Sequence, residues 1–316
     1  ADATPIAGPA LIAVFHVALA AYAVRTRVAA SATIAVAIGA LVVGFAIYLS
    51  TSAHLLVASI DAYPTLLFAA FTVTASALGA RAHRTTRALV AGAGSVGAGL
   101  LTLLAATTRA DWHSVHAWAL LFAGSELLFA AAWRASRHIA EPSKDNAVDF
   151  WAGGAAVLAL IGAESGFPAV ARVVDDAVLS LGFAAAFARF NWRALRLAAL
   201  AAAAISIAHA LSSEFVDATL QGALPLWRAL LYLAAAAAAL FAGSGAIARR
   251  TPNGPTEETL SSASLITLLI GVFLLLRWIA VGGAGAHLDD FSETALRVFA
   301  LVTASHIALP RPGQTT

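Results

Sequence analysis

Long apolar runs separated by short polar turns are the main pattern of this chain. A helix needs about 20 apolar residues to cross the hydrocarbon core of a bilayer. The pattern predicts an all-α, polytopic transmembrane bundle of about eleven spans, in which consecutive spans pack as antiparallel hairpins. The predicted spans are 9–24, 29–51, 63–80, 88–106, 113–133, 149–164, 168–188, 194–212, 225–247, 260–281 and 292–309.

Composition points to the same class of protein. Hydrophobic residues make up 60% of the 316 positions and charged residues only 11%, whereas soluble domains carry about 25% charged residues. The surplus apolar surface is expected to face lipid, so the bilayer is the expected partner. The chain has no Cys, which excludes disulfides and thiolate ligands. Its net charge of +2 is dispersed in short clusters, unlike the dense basic face that nucleic-acid binding requires.

The charges alternate from one turn to the next. Turns after spans 1, 3, 5, 7 and 9, together with the C-terminal tail, hold 14 of the 19 basic residues, and most acidic residues lie in the opposite turns. Cytoplasmic loops of membrane proteins are enriched in Lys and Arg. The alternation therefore predicts a multi-pass membrane protein. Because heavy use of Ala and Gly suggests a bacterial source, we expect the bacterial cytoplasmic (inner) membrane. Its N-terminus is expected outside and its C-terminus in the cytoplasm.

Two stretches of the chain are similar at an offset of 106 to 109 residues. Arg87-Ala-Leu matches Arg193-Ala-Leu, Trp118 matches Trp227, and Ile161-Gly162 matches Ile270-Gly271. These matches predict a parallel internal repeat of four-helix units. The expected organisation is a hairpin at 1–62, a four-helix unit at 63–166, a second unit at 167–283, and span 11 with a short tail at 284–316. Because the chain opens at Ala1 and has no Met, we expect a processed protein or part of a longer one.

Several short motifs carry a resemblance to a family. They are Arg193-Ala-Leu-Arg-Leu-Ala-Ala-Leu200, Pro225-Leu-Trp-Arg-Ala-Leu-Leu-Tyr232, Ala248-Arg-Arg250, and Leu274-Leu-Leu-Arg-Trp278 followed by a Gly-Gly turn and Ser292-Glu-Thr-Ala-Leu296. Mainly over 168–309, the chain resembles the DUF2339 family of large bacterial multi-span membrane proteins. The resemblance implies an architecture of many spans, and it implies no particular activity. We expect this chain to lack the soluble N-terminal region of that family.

Glu126 is the strongest single candidate for function inside the membrane. It lies about two thirds of the way through the fifth span. An ionisable residue at such depth is costly and often functional. We expect Glu126 to point into the bundle, either as a transport site or as a neutral group hydrogen-bonded to a neighbouring helix.

A second group of candidates lies at the predicted outer mouth. Imidazole and carboxylate side chains there suit a divalent metal ion or proton exchange, although solvated turn residues would have the same composition. Arg277 and Glu293 are also expected to form a structural clamp with Arg297. The outer-mouth candidates are His113, His116, Asp175, Asp176, Arg277, His287, Asp289, Asp290 and Glu293.

The sequence favours a non-enzymatic protein that serves as a transport or envelope-scaffold component. The connections between spans are too short for a soluble catalytic domain, and no cofactor is predicted. The alternative is a membrane-embedded enzyme that acts at the outer face on a lipid-linked or periplasmic substrate.

Overall fold

A computed structural model describes residues 115–281 and four further positions, Thr294, Ala295, Val298 and Val302. All regular elements in the described part of the chain are helical. Seven α-helices and one short 3-10 turn, Pro142–Lys144, follow one another along the chain. The helices are α1 (Val115–Ser136), α2 (Asn146–Gly166), α3 (Arg172–Phe190), α4 (Arg193–Ala210), α5 (Ser213–Leu220), α6 (Leu226–Ala248) and α7 (Pro255–Val281).

Four segments are long and apolar enough to cross a membrane. They are Asn146–Glu164, Arg193–Leu220, Leu226–Ala248 and Pro255–Val281, with mean hydropathies between 1.4 and 2.3. Large apolar side chains lie exposed along them, including Leu197, Phe241 and Leu268. Exposed apolar side chains along long apolar helices are compatible with contact with lipid. The membrane class expected from composition is therefore supported by these four helices.

The long helices correspond to the six spans predicted within 113–281, with ends that differ by a few residues. α7 begins at Pro255 rather than near residue 260. Proline suits the first position of a helix, and the acidic residues Glu257 and Glu258 suit its first turn. Hydropathy misses this polar turn. The eight-residue α5 was not predicted as a separate helix, and spans predicted before residue 113 lie outside the described residues.

The described chain divides into two compact units. Residues 115–166 pack with Arg189–Ala198 in the first, and Phe167–Ala188 packs with the chain from Ala199 onwards in the second. Because Arg189–Ala198 belongs to the first unit, each unit is discontinuous in sequence.

Interhelical serines join the hairpin α1–α2 in the first unit and the hairpin α6–α7 in the second. The Ser125 hydroxyl of α1 donates to the carbonyl oxygen of Ala155 in α2, 2.7 Å away. The Ser264 hydroxyl of α7 donates to the carbonyl oxygen of Ala237 in α6 at 2.8 Å. Hydroxyl hydrogen bonds of this kind hold membrane helices together where no hydrophobic force acts between them.

Glycines allow close helix approach in both hairpins. A Cβ atom added at Gly162 of α2 would lie 3.3 Å from the Leu121 Cβ and 3.2 Å from the Phe122 ring. A Cβ added at Gly271 of α7 would lie 3.6 Å from the nearest atoms of Leu230 and Leu233. Residues Leu121 and Leu230 are 109 positions apart, as are Gly162 and Gly271. The two glycines therefore contact equivalent positions of their partner helices.

Candidate functional site

A histidine and an aspartate from consecutive helices meet inside the second unit. The Nε2 atom of His209 lies 3.6 Å from the Oδ2 atom of Asp176. The Asp176 side chain is only 1% exposed and that of His209 is 19% exposed. Asp176 is thus closed off from the surroundings, whereas His209 keeps an exposed edge.

The hairpin of α3 and α4 brings this pair together. The Ser206 hydroxyl donates to the carbonyl oxygen of Val173 at 2.6 Å, and the Ser180 hydroxyl donates to that of Ala199 at 2.8 Å. These two bonds fix the antiparallel register of the helices. As a result, the start of α3 faces the end of α4, and Asp176 lies next to His209.

The pair lies near one end of the hairpin. Asp176 is the fifth residue of α3, which places it roughly 6 Å along the helix axis from the first residue at 1.5 Å per residue. His209 is in the last turn of α4. In the predicted topology this end is the outer one, so the pair belongs to the predicted outer mouth and not to the middle of a span.

The geometry suits reversible proton binding. A separation of 3.6 Å is longer than a hydrogen bond between nitrogen and oxygen, and it becomes an ion pair only when His209 is protonated. Histidine is the side chain that most readily changes charge near neutral pH.

Imidazole and carboxylate groups of this kind can ligate metal ions, but two ligands supply only part of a metal site. Imidazole nitrogen and carboxylate oxygen both bind Zn²⁺. Zinc sites use three or four protein ligands. Asp175, which precedes Asp176, is half-buried in the first turn of α3. As the neighbouring residue in a helix, it lies on a different side of α3 from Asp176.

Glu126 differs from its expected position. It lies in the middle of α1, and its side chain is exposed rather than buried in the interior. In α1 the neighbouring interior positions are filled by Leu121 and Leu128. One residue separates Glu126 from Leu128, and this offset turns the carboxylate to the surface of the chain.

Arg277 also differs from expectation. The sequence places it among the outer-mouth candidates, but its side chain is buried within the second unit while that of the adjacent Trp278 is exposed. Arg277 continues the buried stripe of α7 that includes Thr267, Gly271 and Leu274, because these residues recur at intervals of three or four. The predicted clamp with Glu293 and Arg297 falls outside the described residues.

The remaining outer-mouth candidates are not described in full. His113, His287, Asp289, Asp290 and Glu293 lie outside the described residues. His116 lies in the first turn of α1, where only the backbone is described. Of the predicted group, Asp176 is therefore the residue that the structure places in a buried pair.

Sequence reasoning did not single out His209 as a partner of Asp176. The available signal is positional: the two residues lie near opposite ends of two consecutive antiparallel spans, and such ends meet. No known protein family, no curated protein and no solved structure matches the chain. The physical case for function therefore depends on the helices and on this pair.

Proposed function

We propose that the chain is a non-enzymatic integral membrane protein in which Asp176 and His209 exchange protons as part of a transport function. The observation that carries this proposal is the buried carboxylate next to an imidazole, 3.6 Å away. Ionisable residues within membrane helices are costly to insert, and proton relays in pumps and transporters are built from Asp, Glu and His.

A purely structural scaffold would not need this pair. The serine hydroxyls at Ser180 and Ser206 already join α3 to α4, and an apolar pair would pack the same space without a buried charge. Replacing a buried ion pair by well-packed apolar residues is often neutral or stabilising. The presence of Asp176 and His209 at this position favours transport over the scaffold role.

The proposed setting is the bacterial inner membrane, with about eleven spans and the N-terminus outside. The alternation of basic and acidic turns supports this orientation, and the equivalent contacts of Gly162 and Gly271 support the internal repeat. Membership of the DUF2339 family remains a prediction from the sequence motifs. The enzyme alternative depends on outer turns that lie mostly beyond the described residues.

Proton flux in proteoliposomes tests the transport proposal. The full chain is reconstituted in vesicles that contain a pH-sensitive dye, and a potassium gradient with valinomycin imposes an inside-negative potential. We expect the interior to acidify faster than in protein-free vesicles. Asp176→Asn and His209→Gln are each expected to reduce the protein-dependent rate to the background, because neither can form the charged pair.

Glu214→Gln is the matched control. Glu214 is an exposed acid in the first turn of α5, near the same end of α4 in sequence, and is outside the pair. We expect this variant to keep the full rate. Wild-type vesicles with no flux above background would refute the transport function, and equal losses in Glu214→Gln and Asp176→Asn would refute the role of the pair.

A further inference from the structure

Six cationic side chains gather at one end of the first unit, and we call this set the basic rim. Half come from the end of α1 and the following connection, and half from the last turn of α3 and the first turn of α4. The basic rim consists of Arg134, Arg137, Lys144, Arg189, Arg193 and Arg196. All are exposed except Arg196, which is half-buried.

A hydrogen bond and a cluster of three aromatic rings hold these segments at the same end of the unit. The Asp149 carboxylate in the first turn of α2 accepts a hydrogen bond from the backbone N–H of Ala194 in the first turn of α4, at 3.1 Å. The ring of Phe129 in α1 lies 5.6 Å from that of Phe190 and 5.4 Å from that of Trp192, measured between centroids. Phe190 and Trp192 stack at 4.7 Å.

The acidic residues of the same segments leave most of this charge uncompensated. Residues 134–149 and 189–198 hold six Arg and Lys and three Asp and Glu, a net charge of +3 with His neutral. Glu141 pairs with Lys144 at 2.8 Å. The other two acids are used at helix starts: Asp145 accepts from the Ala147 N–H, and Asp149 accepts from Ala194.

Several arginines are consequently available to an anionic partner. Within the described part of the chain, no ion pair engages Arg134, Arg189 or Arg196. The Arg137 guanidinium lies 3.7 Å from the centroid of the Trp133 ring, a stacking that leaves its outer edge able to bind an anion.

Exposed aromatic rings at this end indicate the level of a membrane surface. Trp133 is 42% exposed and Phe150 is 48% exposed, and both lie beside the basic rim, at the end of α1 and in the first turns of α2. Tryptophan is enriched where helices meet the lipid headgroups. Exposed rings at the ends of apolar helices thus place the cations at headgroup depth.

We propose that the basic rim binds the phosphate headgroups of anionic phospholipids. The partner has to be anionic because the net charge is +3, and it has to be a lipid because the cations adjoin exposed aromatic rings on apolar helices. Basic clusters next to membrane helices attract anionic headgroups in this way. This inference does not depend on the proton-exchange proposal, which concerns the second unit.

Lipid titration of the purified full chain tests the inference. The protein in a neutral detergent is titrated with phosphatidylglycerol or with phosphatidylcholine of the same acyl chains, and bound lipids are counted by native mass spectrometry. We expect tighter retention of phosphatidylglycerol. Each arginine near an anionic surface contributes about fivefold in affinity. Arg189→Gln with Arg196→Gln should therefore weaken phosphatidylglycerol binding roughly 20- to 30-fold.

Arg228→Gln is the control, because Arg228 is an exposed arginine near the start of α6, outside the basic rim. It should leave phosphatidylglycerol retention unchanged, and all variants should keep the lipid-free melting temperature. Raising NaCl from about 0.1 M to 1 M, which shortens the Debye length from about 10 Å to 3 Å, should weaken the binding. Equal retention of both lipids, or an equal loss in Arg228→Gln, would overturn the proposal.

Discussion

Adding one methyl group at each of two equivalent glycines should have opposite effects on stability. In Gly162→Ala the new Cβ would lie 3.2 and 3.3 Å from atoms of the Phe122 ring and 3.3 Å from the Leu121 Cβ. The Leu121 Cβ is fixed to its backbone, so α1 has to shift by a few tenths of an ångström. In Gly271→Ala the closest atoms are side-chain methyls of Leu230 and Leu233 at 3.6 Å, which is an ordinary contact.

The magnitude follows from two opposing effects. Alanine is favoured over glycine inside a helix by up to about 1 kcal/mol, whereas overpacking typically costs about 1–3 kcal/mol. Gly162→Ala experiences both effects, and Gly271→Ala experiences only the favourable one. The helix preference cancels in the comparison. Gly162→Ala should therefore be less stable than Gly271→Ala by about 1–3 kcal/mol.

Equilibrium unfolding in mixed micelles measures this difference. Increasing the fraction of sodium dodecyl sulfate unfolds the protein, and tryptophan fluorescence follows the loss of packing at the buried Trp151 and Trp192. Phe122→Leu in the Gly162→Ala background removes the ring contact and should recover part of the loss, while the contact with Leu121 remains. The packing argument is refuted if Gly162→Ala is as stable as Gly271→Ala. It is also refuted if the double variant Gly162→Ala with Phe122→Leu is no more stable than Gly162→Ala alone.

Two further substitutions test individual hydrogen bonds. Ser264→Ala removes the bond to the Ala237 carbonyl and should lower stability by about 0.6 kcal/mol, with a ceiling near 1.7 kcal/mol. As a control, replacement of the exposed Ser262 by Ala should leave stability unchanged. Equal unfolding midpoints for Ser264→Ala and Ser262→Ala in the same assay would contradict this prediction. Asp149→Ala removes the acceptor for the Ala194 N–H and should cost about 1 kcal/mol, whereas Asp149→Asn keeps an acceptor oxygen and should lose less. An Asn variant as unstable as the Ala variant would assign the effect to the charge.

The sequence was sufficient to predict the helices, because their apolar runs and short polar turns are local properties. It placed six helix centres within 113–281 and misjudged polar ends such as Pro255, whose first turn is set by proline and acidic residues rather than by hydropathy. Which side of a helix faces inward depends on neighbours that are distant in sequence. For this reason the exposure of Glu126 and the burial of Arg277 were not foreseen.

The candidate pair shows the same limit. The sequence identified Asp176 as one of the outer-mouth candidates, and it did not single out His209. Their meeting requires the register of α3 on α4, which the Ser206 and Ser180 hydroxyls determine. The sequence alone does not show which serines of an alanine-rich helix form hydrogen bonds to a neighbouring helix.

The bond between Asp149 and Ala194 has a consequence for biogenesis. A ribosome delivers α1 and α2 to the membrane before α3 and α4, so the carboxylate of Asp149 is in place when the start of α4 emerges. Segment Arg189–Ala198 then packs against the part of the unit that was inserted earlier, and the backbone N–H of Ala194 gains an acceptor there. A chain with the two hairpins in reverse order of synthesis would have to form the start of α4 without this acceptor.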